Sequence, residues 1–251
     1  MNSFKRPLPL ILIADTSGSM KEHGKIKSLN VAIYEMIQSL KLMQKDEEVL
    51  FLLTVIGFER GTVKEFFHAE NVETIKWCEL QAKGVTPLND AFLKAAELIE
   101  QEDVVPKNAY APILLLVSDG QPTDAKGHLS DDWRESLHIL QTAKRVSKGM
   151  RFAMAIGPDA NEEMLAAFSG NGNVFQASDG EKIRQFFQLV TMATSMSLGI
   201  RPVASVQMKA KIQDFVGQQA DKKESSEQKN NSSSTQEEKS VTIIFDDDPI
   251  I

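Results

Sequence analysis

In the stretch ILIADTSGSM, Asp15, Ser17 and Ser19 occupy alternate positions directly after a run of aliphatic residues. They offer a carboxyl group and two hydroxyls, with no thiol or imidazole among them. Two later segments carry the same chemistry: Thr86 in GVTPL, and Asp119 in SDG, which ends the apolar run PILLLVS. Taken singly, such residues cap helices or brace turns. Together, Asp15, Ser17, Ser19, Thr86 and Asp119 form a set of hard oxygen donors. Such donors select hard cations, and a small octahedral site with few carboxylates suits Mg²⁺ better than Ca²⁺, which takes more ligands. Mn²⁺ is an acceptable substitute, whereas zinc is disfavoured by a set lacking nitrogen and sulfur.

For these donors to meet, the chain must bring distant segments to one place. Residues 8–14 are continuously apolar, as in a strand covered on both faces of a parallel sheet. In KIKSLNVAIYEMIQSLKLMQ, residues 25–44, Ile26, Leu29, Ile33, Ile37 and Leu40 recur at helical spacing and define one buried face. EVLFLLTVIGF reads as a second buried strand, and TVKEFFHA, after a turn at Glu59-Arg60-Gly61, as a short antiparallel edge strand. PLNDAFLKAAELIEQE is a helix with Pro87 in its first turn, where a missing N–H does no harm. Residues 112–118 form a third buried strand. A helix near DDWRESLHILQTAKRVSK follows, then a strand RFAMAIG, a helix NEEMLAAFS, a strand NVFQA and a last helix from near Asp179.

This alternation predicts a doubly wound α/β fold, with a mostly parallel central sheet flanked by helices. Ligands in such sheets bind beyond the carboxyl ends of the strands, where the strand order reverses. The three donor segments are therefore expected to converge at one edge of the sheet.

In this order and context, DTSGS, Thr86 in GVTPL and Asp119 in SDG resemble the metal-ion-dependent adhesion site (MIDAS) of von Willebrand factor A domains, whose first segment is D-x-S-x-S. The resemblance spans roughly residues 6–198. GVTPLNDAF and LVSDGQPTD are most similar to the TerY-like group of bacterial cytoplasmic proteins associated with tellurium resistance and related stress operons. It implies that Ser17, Ser19 and Thr86 bind the ion directly, while Asp15 and Asp119 act through bound water and hydrogen bonds. One coordination position then stays open for an Asp or Glu of a protein partner. Gly18, Met20, Pro87, Gln121 and Asp124 flank the donors and are the expected partner contacts. The resemblance also implies a stress-response or signalling assembly, in which a kinase or phosphatase encoded nearby is a candidate partner. Some TerY-like proteins carry a further C-terminal module rich in cysteine and histidine; the tail here has neither residue.

Two enzymatic alternatives fail on particular letters, and a third stays open as the runner-up despite a mismatch. GSMKEHGKI has one residue too many for a Walker loop and ends in Ile26. Ser17 lacks the flanking glycines of a nucleophile elbow. A Mg²⁺-dependent haloacid-dehalogenase-like phosphatase would place a second aspartate two positions after Asp15, where Ser17 stands.

The net charge of -7 argues against nucleic acid or an anionic membrane as partner. Cys78 is the single cysteine, which excludes an internal disulfide and fits a reducing, cytoplasmic compartment. The apolar run near the N-terminus is interrupted by Pro9, ends at Asp15 and lacks a cleavage site, unlike a signal peptide. His23, His68, His128 and His138 show no metal-ligand spacing.

The expected organisation is a domain over residues 1–200, an extension over 201–216, a polar linker over 217–240 and a terminal segment, VTIIFDDDPII, over 241–251. The linker has too few apolar residues to offset the entropy of ordering itself. The terminal segment is either a frayed end or a tethered recognition element. In the latter role its acids suggest a self-assembling scaffold, with one of Asp246, Asp247 or Asp248 reaching a metal site.

Overall fold

Continuous apolar runs become the inner strands of a six-stranded sheet, and the amphipathic segments between them become its covering helices. The computed structural model describes residues 5–199 except 47, 60, 147 and 171–173. The order is β1 (Arg6–Ala14), α1 (Lys25–Asp46), β2 (Val49–Glu59), β3 (Thr62–Asn71), α2 (Leu88–Ile99), β4 (Ile113–Ser118), α3 (Trp133–Thr142), β5 (Met150–Ile156), α4 (Glu162–Ser169), β6 (Val174–Ala177) and α5 (Gly180–Ser197). A tight 3-10 segment, Gly18–Gly24, joins the end of β1 to α1.

Across the sheet the strands run β3-β2-β1-β4-β5-β6. All neighbours are parallel except β3, which pairs antiparallel with β2 at the edge. β1 is central and is buried along its length apart from Arg6. Its side chains alternate between two cores. Ile11 and Ile13 join Leu114, Leu116, Phe92, Trp133 and Phe168 in a cluster built with α2, α3 and α4. Leu10 and Leu12 face the other way, towards the layer in which α1 packs on α5. A strand buried on both faces has little freedom to shift, which suits a segment that must deliver side chains at its end.

Among the boundaries that differ from the sequence reading are the start of α2 and the end of α3. Pro87 precedes α2 as its N-cap instead of lying within its first turn. The third helix stops at Thr142, because Ala143 adopts ψ 130 and starts the turns that lead the chain back to β5. The expectations for residues 201–216, 217–240 and 241–251 lie outside the described residues. Among the described residues, no helix is long and apolar enough to cross a membrane.

Candidate metal centre

The chain leaves β1 for β2 and β3 on one side and later returns to β4 on the other, so the sheet's switch point lies between β1 and β4. Asp15 extends their ladder by one step, its N–H donating to the Val117 carbonyl at 2.8 Å. Thr16 ties the same corner to β2. Its buried hydroxyl donates to the Phe58 carbonyl and accepts from the Phe58 N–H, each at 2.6 Å. Gly57 packs closely beside it: an added Cβ would lie 2.9 Å from the Phe66 ring and 3.1 Å from the Thr16 hydroxyl, so the neighbours would have to shift.

From this corner the donors line up. Asp15 has no solvent exposure, and its two carboxylate oxygens accept from the Ser17 N–H at 2.9 Å and the Ser118 hydroxyl at 2.7 Å. The Ser17 and Ser19 hydroxyls lie 2.9 Å apart, and Ser19 donates to Asp119 Oδ1 at 2.7 Å. Lys25 Nζ reaches the other Asp119 oxygen at 2.8 Å.

The third segment is fastened to the first. Gly18 N–H donates to the Gly84 carbonyl at 2.9 Å, and Lys83 N–H to the Thr16 carbonyl at 2.6 Å. Behind this loop, the buried Asn30 of α1 bridges both backbone groups of Leu80, donating to its carbonyl at 2.9 Å and accepting from its N–H at 2.8 Å. Thr86 and Thr123 are joined twice at 2.9 Å, through Thr86 N–H to the Thr123 hydroxyl and Thr123 N–H to the Thr86 carbonyl. The result is a cleft of about 320 Å³ whose walls include Ser17, Ser19, Thr86 and Asp119, with Glu22 and Asp159 at its margin.

The five predicted oxygen donors are thus gathered at one corner, four lining the cleft and Asp15 buried behind Ser17. Of the expected partner contacts, Gly18 and Gln121 line the cleft. Gln121 is exposed and is steadied by the Asn161 amide at 2.7 Å. Met20 is fully buried and Pro87 is buried, so both pack the loops from beneath and present no surface to a partner. The Asp124 carboxylate is engaged by its own loop, accepting from the N–H groups of Lys126 at 2.8 Å and His128 at 2.9 Å. The His128 N–H, with its ring nearby, holds the Asp124 carboxyl below its ordinary value.

Electrostatics test whether a cation fits. Burial pushes the Asp15 carboxyl above its ordinary value, the neighbouring Asp119 charge adds to that, and hydrogen bonds from Ser17 and Ser118 oppose it. Buried carboxylates need a counter-charge, and Lys25 supplies a single positive charge for the two acids Asp15 and Asp119. Among the described residues there is no group of three or more His, Cys, Asp or Glu side chains able to hold a metal. This corner supplies two acids, and its other candidate donors are hydroxyls. That composition fits a hard divalent cation.

A mostly parallel, doubly wound sheet with acids and hydroxyls at its switch point defines a Rossmann-like domain with a polar binding cleft. The family described as von Willebrand factor type A domain matches residues 10–189. The chain belongs to this family of protein-interaction modules.

Among curated relatives, the inter-alpha-trypsin inhibitor heavy chain H4 of Bos taurus is 26% identical over 200 residues, covering 73% of this chain and 20% of that protein. Its counterpart in Sus scrofa is 34% identical over 122 residues, covering 47% and 13%. The chain therefore spans a fifth or less of the length of these relatives. Among solved structures, the pilus adhesin SpaC from Lactobacillus rhamnosus GG aligns with a TM-score of 0.58 at 13% identity, covering 75% of this chain and 30% of that one. Proximal thread matrix protein 1 from the mussel byssus, with a zinc-occupied MIDAS motif, aligns with a TM-score of 0.53 at 15% identity, covering 76% and 46%. At such identities, structural likeness speaks for the fold.

Sequence reasoning did not identify Lys25, Ser118, Thr123 or Asn30 as parts of the site. Lys25 reads as the start of a helix, and its ion pair spans 94 residues. Ser118 was visible beside Asp119, but its hydrogen bond to Asp15 spans 103 residues. No local pattern announces contacts of that range.

Proposed function

We propose that the domain binds a protein partner by capturing an Asp or Glu carboxylate at a divalent cation held by Ser17, Ser19 and Thr86, with Asp15 and Asp119 positioning the site. The observation that carries this reading is the chain from Ser17 Oγ to Ser19 Oγ to Asp119 Oδ1, 2.9 and 2.7 Å long, in a cleft that Thr86 also lines. Asp15 fixes the Ser17 backbone, and both its oxygens already have partners, in keeping with a positioning role. The ion, when bound, supplies positive charge and an open coordination position. Neutral hydroxyl donors leave most of that charge unspent towards an incoming carboxylate.

Mg²⁺ is the resident ion in this reading, with Mn²⁺ as substitute; the zinc carried by the mussel protein makes zinc a necessary comparison. The wider setting is a cytoplasmic bacterial stress-response or signalling assembly of the tellurium-resistance type, with a kinase or phosphatase as partner. Its support is the TerY-like sequence of GVTPLNDAF and LVSDGQPTD, together with one exposed, unbridged Cys78. Burial of Asp15 with both oxygens engaged weighs against the phosphatase alternative, which would need Asp15 as an accessible nucleophile, and supports reading the module as non-enzymatic.

Calorimetric titration with Mg²⁺, Mn²⁺, Ca²⁺ and Zn²⁺ tests the site. One ion per chain is expected for wild type, with the signal lost in Ser17→Ala/Ser19→Ala while its Tm in EDTA stays close to that of wild type. Equal binding by the double variant would place the ion elsewhere, and turnover of phosphate esters abolished by Asp15→Asn would favour the phosphatase.

A further inference from the structure

Lys25 is the first residue of α1, where the helix dipole disfavours a positive charge, and the first turn contains no acid to compensate. Its ammonium group nevertheless lies 2.8 Å from Asp119 Oδ2, with the lysine side chain 14% exposed and that of Asp119 fully buried. The pairing, and not the helix, therefore accounts for its position. Asp119 divides its oxygens between two claims: Oδ1 accepts from Ser19 in the donor chain, and Oδ2 holds Lys25. Lys25 also lines the cleft that contains the donors. A cation entering beside Ser17 and Ser19 meets a carboxylate already neutralised and a positive charge at close range.

Resting on the metal-site reading above, we infer that Lys25 is a tethered counter-ion that competes with the divalent cation for Asp119. It holds the acid corner together without metal and weakens metal binding when the ion arrives.

The test compares Lys25→Met and Lys25→Arg with wild type, using Mn²⁺ and Mg²⁺ calorimetry and Tm measured in EDTA and in saturating Mg²⁺. Lys25→Met should bind metal more tightly, on the order of tenfold, because a like charge has left the site. Its Tm should fall in EDTA, where Asp119 loses its counter-charge, and return close to wild type in saturating Mg²⁺. Lys25→Arg, which keeps the charge, should follow wild type. Unchanged or weaker metal binding by Lys25→Met would overturn the inference. So would an equal loss of Tm with and without metal, which marks a structural brace. If wild type binds metal through Ser17 and Ser19 and Lys25→Met matches its affinity, this inference alone falls. If wild type binds no metal, the metal-site reading falls with it.

Discussion

A carboxyl group without solvent exposure that faces a second acid keeps its proton to higher pH, and Asp15 is in that position. Its folded-state value is raised above the unfolded one, so its contribution to stability is fully present below the unfolded value and is lost as pH rises through the folded value. In EDTA, Asp15→Asn should therefore gain on wild type as pH rises, since an uncharged amide can still accept from the Ser17 N–H through its oxygen while its NH2 donates to the Ser118 hydroxyl, reversing that bond. Thermal melts across the pH range read this directly. A stability difference independent of pH would mean that Asp15 carries no such burden. At this scale the alternating Asp15, Ser17 and Ser19 after an aliphatic strand were legible as a local pattern, and the fold gathers them at one corner with Thr86 and Asp119. Lys25 was not legible, since only the fold brings it to Asp119. Met20 and Pro87 were misjudged as partner contacts: position beside a donor says nothing about which way a side chain packs, and both are buried.

Elements position the donors through a few specific ties. The loop bearing Thr86 is fixed to the first segment through Gly18 and Gly84, and to α1 through Asn30, which satisfies both backbone groups of Leu80. Asn30→Ala leaves those buried groups without partners, at a cost of about 1–3 kcal/mol for each unsatisfied group. It should also weaken metal binding several-fold by loosening Thr86, although Asn30 does not line the cleft. Denaturant unfolding together with metal titration checks both effects; full affinity in the destabilised variant would show that Thr86 is placed independently. The elements themselves were largely readable, since β1, β2 and β4 are predominantly apolar runs, with β2 interrupted only by Thr54 before its end, and α1 presents Leu29, Ile33, Ile37 and Leu40 on one buried face. The end of α3 was not readable. No proline marks it, and the stop comes from the path back to β5.

For the whole molecule, the sheet order β3-β2-β1-β4-β5-β6 converts three sequence segments into one cleft between β1 and β4. Strand–helix alternation was enough to anticipate that switch point, while the closure of the cleft by Thr86, Thr123 and Lys25 depends on contacts of 37 residues or more. On the proposed function, partner capture runs through the cation. Its most direct measurement is affinity capture from a bacterial lysate with wild type as bait, in Mg²⁺ and in EDTA, beside a Ser17→Ala/Thr86→Ala bait. A partner should be retained by wild type in Mg²⁺ and lost both in EDTA and with the double variant. The same proteins held by all three baits would contradict the proposed function.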